Sequence, residues 1–418
     1  MAKLSLLSET LIGSEIVKLG NEINDLVRNG QKIYNCTIGD YKSSIFKIPD
    51  ELKEYIKEAY DSGYTTYPPA EGNLNLRSAI SKFLLEHQLL HYTEKEIQVA
   101  SGGRPLIYAI YRALVDKGDK VIYPVPSWNN NHYTHFNEGQ HITIQTLPEN
   151  KFMPTPEEIK PHLKGAALIS LCSPLNPTGT TFDREQLEKI CDLVLSENLS
   201  RGENEKKLYI LYDQIYWNLR QPGINHYDPV SLRPGLRKYT IFVDGISKSL
   251  AATGLRVGWS MGPEEVISKV KAILSHIGAW APMAEQVATS KFLLNQKAFG
   301  DYTDSINKLA KTRLQELYLG FCSLKNKGLP VDAISPEGGI YLTVKIDIRD
   351  RKTKDSQILD THHKVWDYIL REARLALVPF SSFGSNQMEW YRLSIGTIEE
   401  DEIGEIIYNL EKALCGLI

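Results

Sequence analysis

The chain has 418 residues, and its 48 basic against 51 acidic side chains leave a formal net charge of −3. This balance lacks the basic excess that charge-driven binding to nucleic acid requires, so we expect no nucleic-acid partner. The most apolar run, at residues 166–172, is far shorter than the roughly 18 residues of a membrane-spanning helix, so we expect no membrane partner either.

Between about residues 95 and 260, short apolar runs alternate with longer amphipathic runs. The short runs are EIQVA, KVIYP, HITIQTL, AALISLC, LYILYD and TIFVDGIS, and the amphipathic runs include RPLIYAIYRALV and REQLEKICDLVL. Strand-like runs separated by helical patterns are typical of βαβ units and a mainly parallel sheet. We therefore predict an α/β large domain, with helices flanking a mainly parallel sheet, at residues 46–304.

The pattern changes near residue 305. Helical runs at 305–328 and 362–375 are mixed with the strand-like runs GIYLTVKID and WYRLSIG. This mixture predicts a smaller α+β domain, which we assign to residues 1–45 and 305–418. Within the large domain, the charged segment 196–207 has no apolar periodicity, which predicts a solvated loop that tolerates substitution.

Five cysteines are scattered along the chain: Cys36, Cys172, Cys191, Cys322 and Cys415. The absence of a C-x-x-C pair argues against a disulfide framework or a zinc site and is typical of reduced thiols in a cytoplasmic protein. His132 and His135 are three residues apart, but no neighbouring acid or cysteine completes a ligand set, so we expect no metal. We also expect no secretory signal in MAKLSLLSET, which lacks a long apolar region.

The most informative stretch is VDGISKSLAATGLRVGW, at residues 243–259. A strand-like run ends at Ser247 and Lys248, and Arg256 follows eight residues after the lysine. An isolated lysine is usually a solvated surface charge. At the carboxyl end of a strand in an open α/β sheet, however, a desolvated lysine becomes nucleophilic toward a carbonyl. A hydroxyl and a guanidinium nearby suit a phosphate dianion, so the stretch predicts a reactive lysine beside a phosphate site.

Two other segments point to the same edge of the predicted sheet. The segment SGGR at 101–104 follows one strand-like run and opens a helical run, so its free N–H groups and the helix dipole predict an anion site. It matches neither nucleotide-binding glycine pattern, so a nucleotide is not implied. Asp213 ends the run LYILYD, where an aspartate is either a helix cap, the commoner case, or a buried anion that needs a cation.

Together these motifs resemble the class I and II aminotransferases of fold type I, which use pyridoxal 5′-phosphate. The order and spacing of Asn176, Asp213, Lys248 and Arg256 fit that family. The matching motifs cover nearly the whole chain and are TIGDY (37–41), YPPAEG (67–72), SPLNPTG (173–179), YDQIY (212–216), PEGGIYL (336–342) and WYRLSIG (390–396). The resemblance implies a seven-stranded type of large sheet and a homodimer with shared active sites.

The resemblance also implies which residues bind the cofactor. Lys248 would hold it as a Schiff base and move a proton between the substrate Cα and the cofactor, while Asp213 would pair with the pyridine nitrogen. Asn176 and Tyr216 would bond the ring 3′-oxygen, and Trp128 would stack on the ring. The phosphate would be bound by Gly103, Arg104, Ser247 and Arg256, and across the dimer interface by Tyr67. The predicted catalytic residues are Lys248, Asp213 and Tyr216.

The substrate side follows from the same resemblance. Arg392 resembles the arginine that clamps the α-carboxylate, and Gly39 resembles the small residue whose backbone touches that group. Trp128 and Asn176 complete the predicted substrate-binding set. Phe380 stands where glycine is common in the family, which predicts a narrower or reshaped substrate side. Candidates for the side-chain pocket are Tyr64, Trp280 and Tyr341.

These residues predict an aminotransferase that moves the amino group of an L-amino acid to a 2-oxo acid with ping-pong kinetics. A pyridoxal-phosphate-dependent lyase of the same fold, for example a C–S β-lyase, would share the cofactor residues and is the alternative. Arg392 and the order of the motifs favour transamination. The sequence does not indicate which amino acid, oxo acid or pathway is involved.

Overall fold

The computed structural model describes residues 3–11, 13 and 15–418. The α-helices α1 to α15 are, in chain order, Leu6–Thr10, Glu15–Arg28, Asp50–Asp61, Leu74–Gln88, Gly103–Leu114, Asn130–Phe136, Pro156–Ile159, Arg184–Ser200, Pro229–Leu232, Ile246–Ser249, Glu264–Ile277, Met283–Leu294, Gln296–Asn326, His362–Glu372 and Ile403–Cys415. The strands β1 to β13 are Tyr34–Asn35, Ile97–Ala100, Lys120–Val125, Gln140–Gln145, Ala166–Cys172, Tyr209–Asp213, Thr240–Gly245, Gly258–Met261, Val331–Ala333, Tyr341–Ile346, Leu375–Ala376, Val378–Pro379 and Trp390–Ser394. In this part of the chain, no helix combines the length and the apolar character that crossing a membrane requires.

Strands β2 to β8 form one seven-stranded sheet in the order β2-β8-β7-β6-β5-β3-β4. Strand β8 runs antiparallel to both of its neighbours, and the other pairings are parallel. The sheet is buried on both faces, since Ile210 and Tyr212 pack into one apolar core and Leu211 packs into the other. Apolar runs on both faces are what a parallel sheet covered by helices requires. The predicted α/β class with a mainly parallel sheet is confirmed.

A second, smaller sheet is built from β12, β13, β10 and β9, all antiparallel. Its apolar core includes residues of the long helix α13, of α14 and α15, and of the short parallel pair β1 and β11. The separate smaller sheet confirms the predicted second α+β unit. Helix α13 continues without a break across residue 305, where the sequence predicts a boundary. The exact domain limits stay a prediction.

The prediction of a loosely solvated loop at 196–207 is wrong in part. Helix α8 continues to Ser200, and Asn198 is buried with its side chain bonded to both the N–H and the carbonyl of Leu208 at 2.8 Å. Arg201 donates to the carbonyls of Ala166 and Leu163. Polar side chains that satisfy backbone groups carry no apolar periodicity, so the hydrophobic pattern did not reveal this structure.

Candidate active site

A cavity of about 750 Å³ lies at the carboxyl ends of β5, β6 and β7, and residues of the smaller sheet complete its wall. Most of the predicted site residues line it: Gly39, Gly103, Arg104, Trp128, Asn176, Asp213, Tyr216, Ser247, Lys248, Arg256 and Arg392. Asn176, Asp213 and Lys248 come together because they follow or end parallel strands whose carboxyl ends share one edge.

Lys248 lies on the short helix α10, directly after β7. Its Nζ donates to the carbonyl oxygen of Gly39 at 2.5 Å. Burial lowers the pKa of Lys248 to about 8; Asp40 opposes this shift, and Arg392 and two further arginines add to it. Much of this amine is therefore neutral near pH 8, which is the form that attacks a carbonyl.

Asp213 ends β6, with Cys172 of β5 beside it in the sheet. Its Oδ1 accepts from the N–H of Ile215 at 3.0 Å, and burial raises the pKa of the carboxyl to about 6. Among the described residues, no charged group contributes to the pKa shift of Asp213, and no α-helix begins directly after it. Of the two roles left open by the sequence, the structure therefore favours a buried anion. A protonated ring nitrogen is a cation that fits this position.

The guanidinium of Arg392 is 2% exposed and faces the cavity. One terminal nitrogen donates to Asn176 Oδ1 at 3.0 Å and the other to the carbonyl of Thr37 at 2.7 Å. Its Nε has no partner in the described part of the chain. A Cβ at Gly39 would lie 2.7 Å from the Tyr341 hydroxyl, which is too close, and 3.7 Å from this guanidinium, which is an ordinary contact. The group is fixed in orientation yet retains donor capacity, as a carboxylate clamp requires.

Residues around the start of α5 form an anion cradle, made of Gly102, Gly103, Ser247 and Arg256. Arg256 donates to the carbonyls of Ser101 at 2.8 Å and Thr253 at 2.6 Å. Gly102 has φ +91°, and a Cβ there would overlap the Arg256 guanidinium. The free N–H groups of the α5 N-terminus and this guanidinium combine into a positive site that fits a phosphate.

Three predictions at the edge of the cavity have different outcomes. Tyr67 is 85% exposed, contacts the ring of Trp280 and does not line the cavity of its own chain. Of the pocket candidates Tyr64, Trp280 and Tyr341, Tyr341 is the one that lines the cavity. Phe380 does not narrow the cavity directly, because its side chain is fully buried against Phe152 and does not line the cavity. The predicted reshaping of the substrate side stays a prediction.

Several cavity contacts escaped the sequence analysis. The hydroxyls of Tyr216 and Tyr341 are 2.8 Å apart, and Tyr41 donates its hydroxyl to the carbonyl of Lys248 at 2.9 Å. Asp40 and Asn24 also line the cavity. The TIGDY motif contains Asp40 and Tyr41, so this motif was the available signal.

Comparisons with known proteins agree with this geometry. Residues 31–410 match the family model described as aminotransferase class I and II. The aspartate/prephenate aminotransferase of Thermus thermophilus is 29% identical over 407 residues, which are 96% of this chain and 94% of that protein. An aspartate aminotransferase of Pinus pinaster is 30% identical over 373 residues, 88% of this chain and 73% of that protein. The solved aspartate aminotransferase of Rhizobium meliloti aligns with TM-score 0.90 and 25% identity, covering 100% of both chains. The Thermus thermophilus aspartate aminotransferase with maleate aligns with TM-score 0.87 and 26% identity, covering 99% of this chain and 100% of that one.

Proposed function

Because the chain belongs to the class I and II aminotransferase family, we propose that it binds pyridoxal 5′-phosphate and transfers the amino group of an acidic L-amino acid to a 2-oxo acid. Amino-group transfer is the activity of the family, and the chain is an aminotransferase. The cofactor, its residues and the acidic substrate are the proposed part. These proposals rest on one observation. A single cavity contains Lys248 with its lowered pKa, Asp213 with its raised pKa, and the anion cradle.

Each proposed residue has a distinct task. Bound pyridoxal 5′-phosphate supplies an electron sink for the charge that develops at the substrate Cα. Arg392 and Asn176 hold the α-carboxylate and so orient the Cα–H bond. Lys248 takes the proton from the substrate Cα and would deliver it to the cofactor carbon C4′, since its pKa of about 8 suits a general base. Asp213 supplies the negative charge that keeps a bound ring nitrogen protonated. The same residues act on the 2-oxo acid in the second half of the ping-pong cycle.

The function is tested with the purified protein loaded with cofactor. An amino acid such as L-aspartate together with 2-oxoglutarate should yield the second amino acid, and initial rates with both substrates varied should give parallel double-reciprocal lines. The visible absorption band of the cofactor should change when the amino acid is added alone and return when the 2-oxo acid follows. Release of ammonia and a 2-oxo acid from the amino acid alone would support the lyase instead.

The acidic side chain of the substrate is proposed from Arg104 and from the names of the relatives. Similar proteins are named aspartate or aspartate/prephenate aminotransferases. The Arg104 guanidinium lies 5.2 Å from the centroid of the Trp128 ring and lines the cavity. The backbone N–H of Arg104 lies in the first turn of α5 and is still proposed to bind the phosphate. The side chain extends toward the indole and is available for a second substrate carboxylate.

Arg104→Ala tests this assignment. We expect kcat/KM for L-aspartate to fall about 100-fold, because a charge-assisted bidentate contact is lost, while kcat/KM for L-phenylalanine changes less than about threefold. Steady-state kinetics with both amino acids measure the difference. Arg112→Ala, on the same helix but outside the cavity, is the control. An equal loss for both amino acids together with weaker cofactor retention would assign the Arg104 side chain to the phosphate alone.

We also propose a homodimer and a cytoplasmic location. The exposed Tyr67, outside the cavity of its own chain, supports a role at the site of a second copy. The five cysteines are free thiols, as in proteins of reducing compartments.

A further inference from the structure

A buried carboxylate next to the cavity joins three segments of the chain. Glu337, just before β10, is 8% exposed. Its Oε2 accepts from the N–H of Thr181 at 2.8 Å and from the Thr181 hydroxyl at 3.0 Å. Its Oε1 accepts from Lys151 Nζ at 2.6 Å. Lys151 follows β4 and Thr181 follows β5, so this side chain connects the large sheet to the smaller one.

The loop at 174–181 is held against the smaller sheet by backbone bonds as well. The N–H groups of Glu337 and Gly338 both donate to the carbonyl of Gly179, at 2.9 and 3.0 Å. Thr343 of β10 donates its hydroxyl to the carbonyl of Thr178 at 2.8 Å. Gly179 has φ +70°, and a Cβ there would overlap the carbonyl of Tyr341. The loop follows a strand of the large sheet in sequence but packs on β10.

Asn176 lies near the start of this loop and contacts Arg392. Its Oδ1 accepts from the Arg392 guanidinium at 3.0 Å, and the carbonyl of Thr37 accepts from the other terminal nitrogen. Together these two bonds fix the orientation of the planar guanidinium. We propose that Glu337 is a positioning residue: it clamps the 174–181 loop so that Asn176 fixes the Arg392 guanidinium in the orientation that binds the substrate carboxylate. This inference rests on the proposed role of Arg392.

The contacts that Glu337 makes with Lys151 and Thr181 require a carboxylate. Three donors converge on the two oxygens of Glu337, and an ionised acid has acceptors only. A glutamine of the same shape would turn an NH₂ group toward either Lys151 or Thr181, setting donor against donor. The substitution Glu337→Gln therefore disturbs the loop without leaving a cavity.

The test measures carboxylate binding in the loaded enzyme. Titration calorimetry with maleate should give a Kd about tenfold higher for Glu337→Gln than for the wild type, with a similar rise in the KM for L-aspartate. We expect kcat to stay within about twofold and the cofactor content to be unchanged. Lys151→Met, whose parent side chain is 43% exposed, should raise the Kd about threefold, because the Thr181 bonds remain. Glu185→Gln breaks an exposed ion pair with Lys189 on the same domain and should change nothing.

The outcomes separate the clamp from the carboxylate site. A maleate Kd within twofold of the wild type for both Glu337→Gln and Lys151→Met, with only the Tm lowered, would overturn the positioning role. If Glu337→Gln does not fold, Lys151→Met alone decides. Arg392→Lys is measured in parallel. If Arg392→Lys binds maleate as tightly as the wild type, the proposed carboxylate site is wrong. If Arg392→Lys binds maleate weakly while Glu337→Gln and Lys151→Met bind it normally, only the positioning role of Glu337 is wrong.

Discussion

Lys248→Ala should abolish transamination, with kcat lowered by at least about 10⁴-fold, because both the nucleophile and the general base are removed. Lys248 is the one lysine among the described residues that line the cavity, so no neighbouring amine replaces it. Coupled assays of L-aspartate and 2-oxoglutarate measure the loss. Borohydride reduction followed by peptide mass spectrometry should find the cofactor attached to Lys248 in the wild type and to no lysine in the variant.

The pKa of Lys248 adds a pH test and a control. Because the neutral amine attacks the cofactor carbonyl, the rate at which cofactor-free protein captures pyridoxal 5′-phosphate should rise with pH and level off above about 8. Lys42→Ala is the control. It removes an exposed lysine that follows the TIGDY motif and forms an ion pair with Glu399, and it should leave activity unchanged. Capture that is independent of pH between 6 and 9, or a cofactor tag on another lysine, would contradict the assignment.

The large sheet could be predicted because its strands are buried on both faces. Runs such as AALISLC and LYILYD are apolar at most positions, and they end where their last residues, Cys172 and Asp213, reach the cavity. The pattern failed at 196–200, where Asn198 satisfies the backbone of Leu208 and the one apolar residue, Leu199, is exposed. Apolar periodicity therefore predicts burial of side chains and is blind to polar groups that complete the backbone.

The candidate site was predictable to the extent that its residues lie in motifs at strand ends. Lys248, Asp213 and Asn176 are of this kind, and they share one cavity. The contacts that orient them come from distant segments: Thr37 meets Arg392 across 355 residues, and Tyr41 meets Lys248 across 207. Spacing in the sequence does not encode such contacts. The burial of Phe380 outside the cavity has a related cause, since the ring that it packs against, Phe152, is remote in sequence.

Asp213→Asn should lower kcat by at least about 10³-fold, because a neutral amide does not keep a bound ring nitrogen protonated.

The same substitution should raise the free energy of unfolding of the cofactor-free protein. Burial raises the pKa of Asp213 from 3.8 to about 6, so the folded state disfavours the ionised carboxyl. Well below the unfolded pKa of 3.8, the group is protonated in both the folded and the unfolded chain and does not reduce stability. As the pH rises from 4 to 6, the unfolded chain ionises first and the folded state loses stability.

Above pH 6, the asparagine variant should therefore be more stable than the wild type by about 2 kcal/mol, less than the full shift implies because the cavity admits water. Urea unfolding of cofactor-free protein at pH 3 and pH 7 measures the difference, which should vanish at the lower pH. Asp301→Asn, at an exposed ion pair, should show no such dependence. A variant less stable than the wild type at pH 7 would mean that Asp213 already has a compensating partner in the chain. If removal of the carboxyl stabilises the fold but stops the chemistry, a cationic ligand at Asp213 explains both results, and the protonated pyridine ring of the proposed cofactor would be that cation.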